Sequence, residues 1–288
     1  MEPEERAALS RIRLVAMDLD GTLLRRDGTV SPFTRSMVRR ADRAGVKMVL
    51  ATGRTSATAE RLGRLLGLGG PFICSNGAHV LSITPREDWQ FIPIPADVLP
   101  GILAVLRGLG VRFEAAVKGA VVFEGRLSVR RPLLEMLRAR IRGTQRVIPE
   151  GGTEKLAGKV VKVFTGATAD LVSKVTSAGE EAFPGRLRYI TTTTSQGEAL
   201  LEMQDASVNK GQALGLVAER LGLSMEETAA IGDGDNDVEM LEAAGLGVAM
   251  ANASPRLTMA ARRFTLSCEE DGVGYFLKEL LEAQSAGG

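Results

Sequence analysis

Short apolar runs alternate with helical patterns over the first third of the chain, and this alternation constrains the fold more than any other feature. Each run is brief and almost wholly apolar, which is typical of a strand buried on both faces of a sheet. Between the first two runs, Ser31 is a suitable N-cap and Pro32 suits the first position of a helix. The predicted strands lie at 12–17, 46–52 and 71–76, with a second helix at 55–66. This order is typical of a parallel α/β sheet with right-handed crossovers.

The same alternation returns near the end of the chain, whereas the middle follows a different pattern. Neighbouring strand-like runs with short turns between 83 and 204 predict an antiparallel sheet backed by helices, including helices at 130–142 and 167–181. We therefore predict a doubly wound, Rossmann-like α/β core formed by residues 1–82 and 205–288. An inserted α+β domain at 83–204 interrupts it.

Composition narrows the classes of partner. The 288 residues carry 36 basic and 35 acidic side chains, a formal net charge of +1, which argues against a nucleic-acid binder that relies on a broad basic field. The charged N-terminus predicts no signal peptide, and the apolar runs are too short for a transmembrane helix. With only two cysteines, we expect a soluble cytoplasmic protein. The oligomeric state is not predicted.

An acidic turn follows the first predicted strand. Asp18 and Asp20 are two positions apart, so both carboxylates are able to face one cleft beyond the carboxyl end of the sheet. Two close carboxylates repel each other unless a cation or a shared proton intervenes. Taken alone, this turn also fits an acidic loop that faces water.

A second acidic turn makes a metal site the better interpretation. Asp233 and Asp237 flank Asn236 directly after another apolar strand. Mg²⁺ prefers oxygen ligands and commonly takes one or two carboxylates together with phosphate and water. The chain has one histidine and two cysteines, which argues against zinc. Calcium stays open as an alternative, although the spacing does not match a calcium-binding EF-hand loop.

Three further residues suit an anion. Thr52 and Gly53 follow the second strand, where a hydroxyl and backbone N–H groups at a strand-to-helix turn are able to bind an anionic oxygen. Lys210 opens the helix after the insert and supplies a point charge for phosphate. With the acidic positions, these residues predict a site that holds Mg²⁺ and phosphate together.

The order of these motifs resembles the four-motif set of the haloacid dehalogenase (HAD) superfamily, and its Cof-type phosphatases in particular. The matching segments are DLDGT at 18–22, ATGR at 51–54, Lys210 and GDGDND at 232–237, with FICSNGA at 72–78 and AGLGVAMANA at 244–253 in support. The resemblance covers the predicted core and implies that the insert is the large α/β (type C2) cap of this subfamily.

The resemblance also implies roles. Asp18 would be the nucleophile that forms an aspartyl-phosphate, and Asp20 the general acid and base. Asp18, the backbone carbonyl of Asp20 and Asp233 would bind Mg²⁺, with Asp237 in support. The phosphoryl oxygens would be held by Thr52, Gly53, Lys210 and Asn236.

The expected function is that of a Mg²⁺-dependent phosphatase acting on a small phosphorylated metabolite, with the cap selecting the organic part. We expect neither a nucleic-acid partner nor a membrane. Two alternatives stay open: a sugar phosphomutase or other phosphotransferase that uses the same aspartyl-phosphate, and a non-catalytic protein that binds a phosphorylated ligand.

Overall fold

A computed structural model describes residues 3–124, 145–166, 168–193 and 199–285. It divides the chain into two compact units. The first comprises Met1–Arg54, Ala59–Trp89 and Asn209–Gly288, and the second comprises Thr55–Thr58 and Gln90–Val208. The helix predicted at 130–142 lies outside the described residues. Among the helices that are described, none has the length and apolar character needed to cross a membrane.

The secondary structure agrees closely with the predicted alternation in the first unit. The described helices are α1 (Pro3–Arg11), α2 (Pro32–Arg43), α3 (Ser56–Leu66), α4 (Leu99–Gly108), α5 (Ala169–Ala182), α6 (Lys210–Arg220), α7 (Val238–Ala243), α8 (Pro255–Ala260) and α9 (Gly272–Ser285). The described strands are β1 (Leu14–Met17), β2 (Lys47–Ala51), β3 (Phe72–Cys74), β4 (His79–Ile83), β5 (Arg86–Phe91), β6 (Glu114–Val117), β7 (Ala120–Glu124), β8 (Gln145–Ile148), β9 (Val160–Gly166), β10 (Leu187–Thr193), β11 (Ala199–Asp205), β12 (Thr228–Gly232), β13 (Leu246–Ala249) and β14 (Arg263–Phe264).

The first sheet has the strand order β14-β13-β12-β1-β2-β3-β4-β5 among the described residues. The strands from β14 to β3 pair in parallel, and β4 returns antiparallel to β3. The sheet grows outward from β1 in two directions, since β2 and β3 lie on one side and β12 to β14 on the other. This is the predicted doubly wound core, and the fold class is confirmed.

Burial on both faces explains why the central strands are continuous apolar runs. Successive residues of β1 point to opposite faces: Val15 and Met17 join one apolar cluster, and Leu14 and Ala16 join the other. The first cluster includes residues of α1, α2 and α9, and the second includes residues of α6, α7 and α8. Ser31 caps α2 by accepting a hydrogen bond from the backbone N–H of Thr34, as its position before Pro32 predicts.

The second sheet has the order β10-β11-β9-β6-β7-β8, and its described pairs are antiparallel except for the parallel pair β7–β8. An apolar cluster joins this sheet to α4 and α5, so the predicted α+β character of the middle segment is present. The predicted boundaries at 82/83 and 204/205 stay predictions. In the structure β4 and β5 extend the first sheet beyond β3.

Candidate active site

The predicted site residues lie where neighbouring strands of the first sheet end. Asp18 follows β1, Thr52 follows β2 and Asp233 follows β12, and β1 pairs with both of the other two strands. The register aligns Met17 with Ile231 on one side and with Leu50 on the other, so the three strand ends reach the same edge. In a doubly wound sheet this edge, at the strand where the winding direction reverses, is the usual place for a ligand.

Lys210 connects two of the predicted acidic residues. Its ammonium Nζ donates hydrogen bonds to Asp18 Oδ1 and to Asp237 Oδ1, each at 2.6 Å, and its side chain has no exposed surface. Asn209 positions this lysine as the N-cap of α6, because its side chain accepts a hydrogen bond from the backbone N–H of Gln212 at 2.7 Å.

The second acidic turn is held by its own backbone. Asp237 Oδ2 accepts hydrogen bonds from the backbone N–H groups of Asp233 (3.2 Å) and Gly234 (3.1 Å), while Oδ1 accepts the bond from Lys210. Both carboxylate oxygens of this fully buried residue are therefore engaged by the protein itself.

Asp233 is oriented by two side chains from other segments. Thr22 Oγ1 donates a hydrogen bond to Asp233 Oδ1 at 2.7 Å, and Asn252 Nδ2 donates to Asp233 Oδ2 at 3.3 Å and to the Gly21 carbonyl at 2.8 Å. Gly21 is required where the two acidic turns meet. It has a left-handed φ of +82°, and a Cβ at this position would lie 2.2 Å from Asp233 Oδ2.

Asp18, Asp233 and Asp237 each present a carboxylate oxygen within 4.8 Å of the others. Burial raises the pKa of Asp18 well above its ordinary value. The positive charge of Lys210 lowers this pKa, whereas the neighbouring carboxylates of Asp237 and Asp233 raise it further. Burial likewise raises the pKa of Asp233 to about 7, although the Thr22 hydrogen bond lowers it.

Burial alone would lower the pKa of Lys210, but Asp18 and Asp237 outweigh it and raise this pKa. The cluster thus contains three carboxyl groups and one ammonium, which contacts two of them. When the carboxyl groups are ionised, the cluster has an excess of negative charge that a divalent cation would offset. The ligand atoms on offer are oxygens, as a hard cation such as Mg²⁺ prefers. The residues therefore fit the predicted metal.

Asp20 has different surroundings. Its carboxylate forms a two-point ion pair with the Arg54 guanidinium, in which Arg54 Nε lies 2.7 Å from Asp20 Oδ2 and the second contact joins the Arg54 Nη2 and Asp20 Oδ1. Its side chain is about half exposed, and it does not belong to the cluster of the other three carboxylates. The structure thus separates one aspartate of the first acidic turn from the group that could hold a metal.

The predicted phosphate-binding residues lie beside this group. Thr52 is buried at the end of β2, and its Oγ1 accepts a hydrogen bond from the backbone N–H of Arg54 at 3.0 Å. Asn236 Nδ2 donates to Asn76 Oδ1 at 3.0 Å. Gly53 passes close to the same Asn76 oxygen, since a Cβ on Gly53 would lie 2.9 Å from it.

Comparison with known proteins decides the family. A family model described as haloacid dehalogenase-like hydrolase matches residues 15–277. The chain belongs to this family.

Relatives match this chain over nearly its whole length. "Phosphatase YwpJ" of Bacillus subtilis is 30% identical, with 94% of this chain and 100% of that protein covered. A "Phosphoglycolate phosphatase" of Methanopyrus kandleri is 29% identical, with 95% and 99% covered. A solved haloacid dehalogenase-like hydrolase from Bacteroides thetaiotaomicron has a TM-score of 0.81 at 26% identity, covering 93% and 99%. The predicted family and enzyme class, a HAD phosphatase, are confirmed.

Several residues that shape the HAD site were not predicted to have roles. Thr22, Arg54, Asn76 and Asn252 lie in segments that the resemblance includes, yet they act through contacts with residues far away in the sequence. The only available signal was their position in DLDGT, ATGR, FICSNGA and AGLGVAMANA. Such a position does not reveal which partner a side chain meets.

Proposed function

We propose that this HAD phosphatase is Mg²⁺-dependent and hydrolyses a small phosphorylated metabolite through an aspartyl-phosphate at Asp18. The observation that carries the proposal is the cluster of Asp18, Asp233 and Asp237, in which the first and last accept hydrogen bonds from the buried ammonium of Lys210. A phosphorylated substrate brings further negative charge, so a site of this kind needs both a metal and the lysine.

Asp18 is the proposed nucleophile. Lys210 holds its Oδ1 at 2.6 Å, which fixes the rotamer of the carboxylate at the edge of the sheet. In the first step a bond forms between an Asp18 carboxylate oxygen and phosphorus, and the bond from phosphorus to the leaving oxygen breaks. In the second step water attacks phosphorus, phosphate leaves and the Asp18 carboxylate is restored. One difficult displacement is thereby divided into two.

Asp20 is the proposed general acid and base. It gives a proton to the leaving oxygen in the first step and takes one from the attacking water in the second, so the proton count closes over one turnover. Arg54 orients the Asp20 carboxylate through the two-point ion pair, and one of these two contacts has to open when Asp20 carries the proton for the leaving oxygen.

Thr52, Gly53, Lys210 and Asn236 are proposed to hold the phosphoryl oxygens. The Thr52 hydroxyl is able to donate, because its oxygen is the acceptor in the hydrogen bond from Arg54. Lys210 contributes positive charge from a buried position, where an ionic interaction is stronger than in water.

Mg²⁺ is proposed to be bound by Asp18, Asp233 and the backbone carbonyl of Asp20. Asp237 supports the site indirectly, because Lys210 and two backbone N–H groups engage both of its oxygens. When bound, the ion would offset the negative charge of the carboxylates and of the phosphoryl group.

The substrate is proposed to be a small phosphorylated metabolite, since the relatives include a phosphoglycolate phosphatase, a 5-amino-6-(5-phospho-D-ribitylamino)uracil phosphatase and an HMP-PP phosphatase. We also propose a cytoplasmic location, because Cys74 and Cys268 are both buried free thiols, which reducing compartments preserve.

The test is a phosphate-release screen of the purified protein against p-nitrophenyl phosphate and a panel of phosphorylated metabolites, with Mg²⁺ or with EDTA. We expect Mg²⁺-dependent release, and a loss of at least about 10³-fold in Asp18→Asn because the nucleophile is gone. Asp42→Asn, on the exposed face of α2, is the matched control and should retain activity.

Three results would contradict the proposal. Turnover by Asp18→Asn near the control's rate would refute the assigned nucleophile. An absence of Mg²⁺-dependent release from the whole panel would favour the phosphate-binding alternative. Transfer of the phosphoryl group to a sugar hydroxyl, measured with hexose phosphates and a bisphosphate activator, would favour the phosphomutase.

A further inference from the structure

The turn Ser75–Gly77 has an unusual backbone. All three residues have positive φ angles: 48° at Ser75, 56° at Asn76 and 107° at Gly77. Left-handed backbone is unfavourable for residues with a Cβ, and successive non-glycine residues rarely adopt it. Ser75 and Asn76 are also buried. The surrounding contacts must therefore stabilise this conformation.

The backbone of the turn holds the loop that follows β2. The N–H of Asn76 donates to the Thr52 carbonyl at 3.0 Å, and the N–H of Ser75 donates to the Arg54 carbonyl at 2.9 Å. Gly53 lies between these two bonds, and a Cβ there would approach Asn76 Oδ1 to 2.9 Å. The left-handed turn thus fixes the path of the proposed phosphate-binding loop 52–54.

The Asn76 side chain reaches a second proposed phosphate ligand. Its Oδ1 accepts a hydrogen bond from Asn236 Nδ2 at 3.0 Å, which fixes one end of the Asn236 amide. Asn236 belongs to the short turn 235–237 after β12, so this bond joins the second acidic turn to the turn at 75–77.

The last residue of the turn packs against the segment that carries Lys210. A Cβ on Gly77 would lie 2.4 Å from the carbonyl oxygen of Asn209, the N-cap of α6. Residues 75–77 therefore contact all three segments that supply the proposed phosphate ligands: 52–54, 209–210 and 235–237.

We propose that Asn76 is a positioning residue for the phosphoryl group, which acts by orienting the Asn236 amide through its own side chain. The proposal rests on the proposed function for its kinetic consequence, but the contact itself is testable without turnover. If Asn76 had a purely structural role, only its left-handed backbone would matter. The kinetic effects of substituting Asn76 and Asn236 would then be independent of each other.

Asn76→Gly separates these two roles. Glycine accepts a positive φ, so the backbone bonds to Thr52 and Arg54 are retained while the bond to Asn236 is lost. Asp271→Gly is the matched control. Asp271 also has a left-handed φ, of 63°, and its side chain bonds Arg25 and Thr34 instead of the proposed phosphate ligands.

In kinetics with p-nitrophenyl phosphate, we expect Asn76→Gly to lower kcat/KM about tenfold, the loss that corresponds to one hydrogen bond of about 1.4 kcal/mol. Asp271→Gly should change it less than about twofold. On an Asn236→Ala background, Asn76→Gly should cause almost no further loss, because the group it orients is absent. Multiplicative losses in the double variant would overturn the proposal.

Amide hydrogen exchange of the substrate-free protein gives the second measurement. We expect Asn76→Gly to speed exchange in peptides covering 235–237 and to leave those covering 52–54 near the wild-type rate. Unchanged exchange at 235–237 would overturn the proposal, whether or not the protein turns over phosphate esters. If Asn76→Gly speeds exchange at 235–237 but the wild-type protein has no phosphatase activity, the proposed function is overturned and the contact between Asn76 and Asn236 is still supported.

Discussion

The charge balance around Lys210 gives a quantitative prediction. Lys210→Met replaces a fully buried ammonium with an apolar side chain of similar length and leaves Asp18 and Asp237 buried without their counter-charge. Each of the two bonds joins ionised groups at 2.6 Å, and such a bond contributes about 1.5–3 kcal/mol. Breaking a buried ion pair by removing one partner costs about 3–5 kcal/mol. We expect the free energy of unfolding to fall by about 3–5 kcal/mol.

The assay is urea denaturation at neutral pH in EDTA, followed by circular dichroism. Lys174→Met is the control, because its ion pair with Asp170 on α5 is exposed and should contribute less than about 1 kcal/mol. The raised pKa of Lys210 means that its stabilisation is complete below the unfolded-state pKa and is lost as the pH rises through the folded-state pKa. Titration of Lys210 itself should therefore not change the difference between wild type and Lys210→Met from pH 7 to about pH 9. The carboxyl groups of Asp18 and Asp233, whose pKa values Lys210 lowers, should bind protons more readily in the folded variant, so the loss of stability should grow as the pH rises over this range.

Addition of Mg²⁺ should stabilise Lys210→Met more than it stabilises the wild type, since more negative charge is then uncompensated. A loss below about 1 kcal/mol in EDTA, equal to that of the Lys174→Met control, would refute the reasoning. It would show that the three carboxylates do not depend on this ammonium.

Three further predictions follow from individual contacts. At a Mg²⁺ concentration 100 times its dissociation constant, the wild type should gain about 2.7 kcal/mol of stability, measured by calorimetric melting. Asp233→Asn should lose most of this gain, and an equal gain in both proteins would exclude Asp233 as a ligand. Arg54→Lys cannot form the two-point ion pair with Asp20, so it should lower kcat about tenfold and leave the urea midpoint of unfolding unchanged. An unchanged kcat would show that the ion pair does not orient Asp20. In the second unit, Lys162 Nζ lies 2.5 Å from Oε1 of the buried Glu202. Lys162→Met should therefore lower the free energy of unfolding by about 3–5 kcal/mol in a urea titration. A loss below about 1 kcal/mol would mean that the pair contributes little to stability.

Local patterns predicted the central strands and the edge at which the site lies. Val15 and Ala16 point to opposite faces of the sheet and are both buried, so the apolar runs identify strands without tertiary information. Because the acidic turns follow two such runs, the approach of Asp18 to Asp233 follows from the order of strands in a parallel sheet. The pairing of both Asp18 and Asp237 with Lys210 required the fold itself.

The helix α4 shows where local patterns were insufficient. Its sequence contains Pro100, Gly101 and Gly108, which are unfavourable inside an isolated helix, so the local sequence pattern did not predict this helix. Tertiary packing explains it: Pro100 lies in the first turn, and a Cβ on Gly101 would lie 2.1 Å from the ring of Phe183. Close approach of an aromatic ring thus accounts for a glycine that local propensity opposes.

Under the proposed function, the contacts of Asp237 determine how much of the metal's coordination the protein supplies. Lys210 and two backbone N–H groups engage both oxygens of Asp237, so two carboxylates, Asp18 and Asp233, remain for the ion together with the Asp20 carbonyl. Mg²⁺ binds about six ligands in octahedral geometry, so several positions are left for phosphoryl oxygen and water. A third direct carboxylate would reduce those positions and add charge that repels phosphate. The hydrogen bonds of Asp237 therefore favour a site open to substrate.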